Sequence, residues 1–437
     1  MTDPADPTGP TGPTGPTDSP ARPGIFRPDD FRGHGSDLRG LAAELDGADP
    51  LGPFLERFVP PPAGLVYFDG NSLGQLPHAT REALHHAIDN EWAQRLIRSW
   101  TEGWMDLPVA TGDALGTHLL GAAPGQTVLA DSTTVNFFKL ASAALTARPD
   151  RTRILTDHAN FPTDRYVVES LSLSHQKQID WLTADPSGGP EPEEVEARIT
   201  EDTALVTFSH VAYRSAHIAD MRRITELAHA KGALVLWDLS HSVGSVPLAL
   251  DADGVDLAVG CTYKYLNGGP GSPAFLYVNH ELQSELAQPI WGWIGRRDPF
   301  AMAPGYLAGE GIAQMLSGTP QVLGLTAARE GIALCAEASI QAIRAKSVLL
   351  TSYAIELADA LLAPHGVGLG TPRDPARRGG HVSLTHPDAR SLSRQLIEAG
   401  VIPDFREPDV IRIGLSPLTT RFADVHEGLV RFASLLR

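Results

Sequence analysis

The stretch ALVTFSHVAYRSAHIADMRRITELAHAKGALVLWD, residues 204–238, decides the architecture. It begins with the apolar run ALVTFS and ends with ALVLWD, both of strand length, and DMRRITELAHAKG (220–232) between them reads as a helix. Strand and helix in close succession imply parallel pairing through a helical crossover. The alternation extends back to Thr127, with RILT (153–156) leading through a loop to RYVVESLSL. The expected unit is a doubly wound, mainly parallel α/β domain, which places ligands at the carboxyl ends of its strands. The last part changes character: GGHVSLTH, the helix-like ARSLSRQLIEAG, VIRIGLSP and the amphipathic ADVHEGLVRFASLL indicate a small α+β domain starting near residue 325 to 335. The expected division is a large domain over 26–330, including an N-terminal segment, and a small domain over 331–437, with a long helix at the junction.

Composition narrows the function classes. A chain of 437 residues, 42% hydrophobic, is long enough for one large and one smaller domain. Its formal charge of −17 comes without a long basic run, which argues against nucleic acid and anionic membrane surfaces as partners. Two cysteines, Cys261 and Cys335, make no disulfide framework and sit in no metal-ligand pattern, as expected of a cytoplasmic protein. The start of the chain has no basic region followed by an apolar stretch, and nothing later reads as a membrane span. Thr-Gly-Pro recurs from Thr8 to Pro16, so residues 1–25 are set aside as a low-complexity tail.

Four local features converge once the strands are placed. Asp238 ends the run ALVLWD, where a fixed negative charge suits a cationic ligand atom, although a helix cap explains it equally. DSTTVNFFKLASAAL (131–145) opens a helix with hydroxyls, its expected inner face being Val135, Phe138, Ser142 and Leu145. Such an N-terminus favours a phosphate, with Thr133 and Thr134 as added donors; ordinary capping is the plainer reading. In HANFPTDRY (158–166), Phe161 suits the cover of a flat ring and Asp164 a bond to it, or the loop is simple punctuation before a helix. Lys264, in VDLAVGCTYKYLNGGPGSPAFLYV (255–278), lies between two apolar runs and beside a glycine-rich turn. A desolvated lysine is available as nucleophile and base, whereas a lysine near such a turn is often merely solvated. A phosphate site, a ring cover, a carboxylate for a ring nitrogen and a Schiff-base lysine are the parts that pyridoxal phosphate needs.

Several stretches resemble kynureninase, a fold-type-I pyridoxal-phosphate enzyme of the class-V aminotransferase-like superfamily. They are YFDGNSLG (67–74), DSTTVNFFKL (131–140), NFPTDRY (160–166), WDLSHSVGSVPL (237–248), GCTYKYLNGGPGSPAFLYV (260–278), WGWIGRRDPFAM (291–302), SGTPQVL (317–323), RGGHVSL (378–384) and VIRIGLSPL (410–418). The resemblance implies that Lys264 bonds the cofactor and later moves the Cα proton, and that Asp238 keeps the pyridine nitrogen protonated. It places His241 beside the cofactor, Thr133, Thr134 and Tyr263 at its phosphate, Phe161 on its ring, and Asp164 and Ser209 as further polar contacts. Arg412 matches the arginine that takes the substrate α-carboxylate, and Ser72 and Trp100 fall near the substrate. Trp293 and Thr319 match residues that reach the site from the neighbouring subunit, so a homodimer with shared sites is expected.

The implied reaction is hydrolysis of the Cβ–Cγ bond of L-kynurenine to anthranilate and L-alanine, a step of tryptophan breakdown, with Tyr263 as a proton donor and acceptor in its late steps. A small residue at 319 points to L-kynurenine rather than 3-hydroxykynurenine or another substituted kynurenine. Other readings are an aminotransferase, a cysteine desulfurase or selenocysteine lyase of the same fold, and a cofactor-binding regulator without turnover. A desulfurase needs a nucleophilic cysteine on an exposed loop, and both cysteines here sit in runs that look buried. The chain departs from the family at Ala216, where a glycine is expected in a turn, and in its Thr-Gly-Pro tail.

Overall fold

The two apolar runs at 204–209 and 233–238 lie in neighbouring parallel strands, Thr203–Ser209 and Leu234–Asp238, registered from Leu205–Leu234 to Ser209–Asp238. The crossover helix Met221–Ala230 starts where the Asp220 side chain accepts the Arg223 N–H at 3.0 Å, and it buries Met221, Ile224, Thr225, Leu227 and Ala228 along one face. This computed structural model describes residues 26, 27, 31 and 37–436, so the Thr-Gly-Pro tail lies outside the described residues.

In chain order the first strands are β1 Val66–Tyr67, β2 Thr127–Leu129, β3 Arg153–Asp157, β4 Gln178–Leu182, β5 Thr203–Ser209, β6 Leu234–Asp238, β7 Leu257–Gly260 and β8 Phe275–Val278. Strands β2 to β8 form one seven-stranded sheet in the order β2-β8-β7-β6-β5-β3-β4. Only β8 runs against its neighbours; the remaining pairs are parallel. Every residue of β6, β7 and β8 is buried, as a sheet covered by helices on both faces requires. The fold is the large doubly wound sheet expected of a fold-type-I pyridoxal-phosphate enzyme.

The remaining strands are β9 Gly368–Leu369, β10 His381–Thr385, β11 Val401–Ile402, β12 Asp404–Arg406 and β13 Val410–Gly414. An antiparallel sheet in the order β12-β13-β10-β9 packs with the helices Ala389–Glu398 and Phe422–Leu435 as a small α+β layer. The junction holds two helices rather than one, Val322–Ala338 and Ile340–Leu361, separated at Ser339 with φ +69°. The sequence-based division puts the N-terminal segment with the large domain, but its apolar side chains Phe31, Leu41, Leu45, Val66 and Phe68 pack with Leu350, Ile411, Phe422 and Phe432 of the small layer. Strand β1 pairs in parallel with β11, which ties that segment to the same layer.

Two local details depart from expectation. In the helix Thr133–Ala147, Val135 and Phe138 are only half-buried, and Phe137, Leu140, Ala141 and Ala144 are the fully buried positions. The helix is pressed between the sheet and the helix Pro162–His175, so its contact face is wider than a single stripe. Ala216 holds a left-handed φ of +64°, its N–H bonding Ala212 O at 2.9 Å and its carbonyl taking the Gly379 N–H at 2.7 Å. The turn that asks for glycine is present, and this chain forms it with an alanine.

Gly331, inside the helix Val322–Ala338, reverses the usual rule that alanine improves a helix interior. A Cβ there would lie 1.9 Å from the carbonyl oxygen of Leu266, in the turn just after Lys264. Gly331→Ala is expected to lower stability by about 1–3 kcal/mol, read as a drop in thermal unfolding temperature, and to weaken activity more than a surface Gly→Ala does.

Candidate active site

A cavity of about 520 Å³ opens at the carboxyl ends of the central parallel strands, where Ser209 ends β5 and Asp238 ends β6. Its wall includes Lys264 and His241, together with Thr133, Thr134, Phe161, Asp164 and Tyr263. These nine residues, each picked out in the sequence, therefore meet in one place.

Lys264 is 9% exposed and sits in the connection from β7 to β8. The turn beneath it is closed by Asn267 N–H to Lys264 O at 2.9 Å and Gly268 N–H to Thr262 O at 2.9 Å. From the other side Gly74 donates its N–H to Tyr263 O at 2.8 Å, so close that a Cβ on Gly74 would lie 2.4 Å from Lys264 O. The lysine backbone is thus gripped by Gly74 on one side and Gly331 on the other. Its ammonium donates to His241 Nε2 at 3.4 Å. Burial, and then Lys264 and Arg412, hold the His241 imidazole well below its usual pKa, so the ring is a neutral acceptor at Nε2.

Asp238 accepts the Ser240 N–H at Oδ1, 2.7 Å. Asp164, in the first turn of the helix Pro162–His175, is buried against it. Burial first, and the adjacent Asp238 second, push the Asp164 carboxyl well above the ordinary carboxylate range. Burial thus favours the protonated form of Asp164, and its Oδ2 has no hydrogen-bond partner. A cationic N–H is the group this pair lacks. Ser209 donates its hydroxyl to Asn160 Oδ1 at 2.7 Å, and the Phe161 ring lies edge-to-face on Tyr213 with its centroid 5.8 Å from Lys264 Nζ.

Thr133 and Thr134 are the first two residues of their helix, with Ser132 as the cap taking the Val135 N–H at 3.4 Å. Backbone N–H groups at such positions have no partner within the helix, and the dipole adds positive potential. Beneath them the fully buried Lys139 donates to Asp131 Oδ2 at 2.6 Å and to Met315 O at 3.0 Å, which offsets the one carboxylate beside this anion-favouring end. The Tyr263 phenol keeps its proton: interaction with Cys261 leads, burial follows, and both raise its pKa.

The sequence reading missed Ser132, Thr163, Ser240, Ser272 and Gln321 in the cavity wall. Ser132 belongs to the same hydroxyl cluster as Thr133, and Gln321 follows Thr319 by two residues, so both lay within quoted motifs. The remaining expected residues lie off the cavity wall. Arg412, on β13 and 1% exposed, donates to Tyr213 O at 2.6 Å and to Ser72 Oγ at 3.2 Å, which joins those two expected residues to each other. Trp100 packs edge-to-face on Trp104 at 5.3 Å, Trp293 is half-buried on Phe300, and Thr319 is exposed. Among the described residues no group of His, Cys, Asp and Glu could hold a metal ion.

Comparison with known proteins follows the same lines. Residues 343–431 match the family "Kynureninase C-terminal domain", and residues 119–248 match the "DegT/DnrJ/EryC1/StrS aminotransferase family". The chain is 42% identical over 397 residues to a kynureninase of Pseudomonas fluorescens, covering 90% of this chain and 94% of the relative. It is 40% identical over 403 residues to a kynureninase of Burkholderia pseudomallei, covering 91% and 95%. Among solved structures, a cysteine desulfurase from Thermococcus onnurineus superposes with a TM-score of 0.75 at 18% identity, over 85% of this chain and 94% of that one. A cysteine desulfurase from Escherichia coli gives 0.75 at 16%, over 88% and 98%. The structural likenesses carry the fold alone.

The acid pair makes a pH prediction for ligand-free protein. Asp164 holds a proton in the folded state that the unfolded chain has released, so stability falls as pH climbs from roughly 4 toward the raised value. Asp164→Asn should remove that slope, and the gap in unfolding temperature between variant and wild type should widen with pH. A constant gap would show that Asp164 is ionised in the fold.

Proposed function

The chain belongs to the kynureninase family, and we propose that the cavity around Lys264 takes pyridoxal phosphate and that the protein hydrolyses the Cβ–Cγ bond of L-kynurenine to anthranilate and L-alanine. The observation that carries this reading is the meeting, in one cavity, of a buried lysine, two adjacent buried carboxylates and a helix N-terminus. The residues fit the cofactor. The bare Asp164 Oδ2 and its partner Asp238 want a cationic N–H, and the amides of Thr133 and Thr134 want an anion.

Bound there, pyridoxal phosphate supplies an aldehyde that condenses with amines and a protonated ring that accepts the electron pair left at a substrate Cα. Lys264 Nζ would be the amine that holds the cofactor and, when free, the base for the Cα proton; neutral His241 gives that nitrogen a partner without a competing charge. Asp238 would hold the proton on the ring nitrogen, with Asp164 supporting it. Thr133, Thr134 and Tyr263 would hold the phosphate, Phe161 would cover the ring, Ser209 would support the Asp238 side of the site, and Arg412 would take the α-carboxylate with Ser72 beside it. One water adds to the Cγ carbonyl carbon, the Cβ–Cγ bond breaks, and Cβ takes a proton. Tyr263 suits these late steps because its phenol is held in the protonated form.

The desulfurase alternative finds no support in the cysteines. Both are fully buried; burial raises the Cys261 thiol and pushes Cys335 up to about 12, so neither is a ready nucleophile. We also infer a homodimer with shared sites. Trp293 and Thr319 are not part of the cavity wall of their own chain, and the surface near them exposes Trp291, Phe300, Met302 and Leu307. A cytoplasmic location is proposed on the two free cysteines; among the described residues no helix is long and apolar enough to cross a membrane. Thr319 and Trp100 are proposed to set the choice of ring, in favour of L-kynurenine.

Incubation with L-kynurenine should release anthranilate, followed by fluorescence, and alanine in equal amounts. A cofactor-loaded protein that forms neither would overturn the substrate assignment. Catalytic efficiency with 3-hydroxykynurenine equal to or above that with L-kynurenine would overturn the ring preference. Lys264→Ala should keep the fold, lose the absorption band of the bonded cofactor and lower turnover by about a thousandfold or more.

A further inference from the structure

Arg412 sits directly opposite Asp404 in the β12–β13 pair, and Arg406 lies two residues along β12 from Asp404, so all three side chains share one face of the small sheet. A single carboxylate oxygen, Asp404 Oδ2, contacts both guanidinium groups: it accepts a short hydrogen bond from Arg412 Nη2 and lies 2.9 Å from Arg406 Nε. Arg412 Nη2 carries two hydrogens, and both are committed, one to Asp404 and one to Ser72 Oγ. One hydrogen of Nη1 goes to Tyr213 O, while Nε, though buried, has no partner.

This count constrains how any carboxylate reaches Arg412. Bound side-on, it takes the free Nε–H and one Nη2–H; bound end-on, it takes one N–H from each amino group. Either geometry requires an Nη2–H that is already in use. Of the two residues holding it, Asp404 repels an incoming carboxylate, and it alone has a second cation to fall back on. Arg406 is well placed for that role, since its side chain is 36% exposed against 1% for Arg412 and can follow the carboxylate outward.

We propose that Asp404 is an internal stand-in for the substrate carboxylate: it pairs with Arg412 in the resting protein and yields that position to the substrate by moving onto Arg406. The proposal rests on the assignment of Arg412 to the α-carboxylate. The exchange keeps a buried guanidinium paired at every stage. It also makes entry selective, because an amine without a carboxylate cannot displace Asp404. Asp404 and Arg406 are positioning residues that act through Arg412.

The test uses the cofactor-loaded enzyme and reads KM and kcat for L-kynurenine, with inhibition by L-alanine and by the decarboxylated amine analogue of the substrate. Asp404→Asn removes the competitor and should lower KM and the alanine inhibition constant by roughly three- to tenfold, more than it changes kcat, while inhibition by the amine stays the same. Arg406→Gln removes the fallback partner and should raise both constants by a similar factor. A rise in KM for Asp404→Asn would mean that Asp404 merely holds Arg412 in place, and no change in either variant would equally overturn the exchange. If Asp404→Asn does not fold, Arg406→Gln decides alone. Arg412→Lys separates the two levels. If it raises KM while the other two variants have no effect, only the exchange fails; if it leaves KM as it was, the assignment of Arg412 fails as well.

Discussion

A buried lysine needs its surroundings arranged around it, and this requirement organises the large domain. Removing the Lys264 ammonium from water is tolerable only with acceptors and opposite charge nearby, and these come from two strand ends. Asp238 ends β6, Asp164 opens the helix after β3, and His241 follows the Asp238 turn. Parallel pairing brings these ends to the same edge of the sheet, which is why chemistry collects there. The backbone of the lysine turn is then fixed by contacts that only glycine allows, at Gly74 and Gly331.

Local patterns in the chain announce the large sheet, because strands buried on both faces read as unbroken apolar runs and each crossover helix has a plain beginning. The positions of Asp238, Thr133 and Lys264 follow from those runs, so the cavity side of the site was legible. What lay hidden depends on pairing between distant segments. Nothing in residues 38–68 shows that they pack against the C-terminal layer, because the deciding contact is the β1–β11 pair. Lys139 reads as one more helix cation until Met315 and Asp131 close around it. The contact of Asp404 with Arg412 depends on hairpin register, which letters alone leave open.

The relation between fold and chemistry here is instructive at the cysteines. Superposition alone shows a fold shared with cysteine desulfurases, and a shared fold leaves the reaction open. In this chain both thiols are sealed in the interior, away from the position of an exposed nucleophile.

The loop of Ser72 and Gly74 has a consequence for the life of the chain. Residues 69–74 touch the lysine turn through Gly74 and the C-terminal sheet through Ser72, and Asn71 lies so close to Gly414 that a Cβ there would sit 1.8 Å from its Oδ1. Three parts of the sequence, near its beginning, middle and end, therefore close on one another at residues 69–74. During synthesis the large sheet can form early, since all its strands lie within residues 127–278, but the contact of Ser72 with Arg412 waits for the final strand. A ribosome-bound chain lacking β13 has the lysine pocket but not Arg412, so on the assignment proposed for that arginine its site is completed only with the last strand.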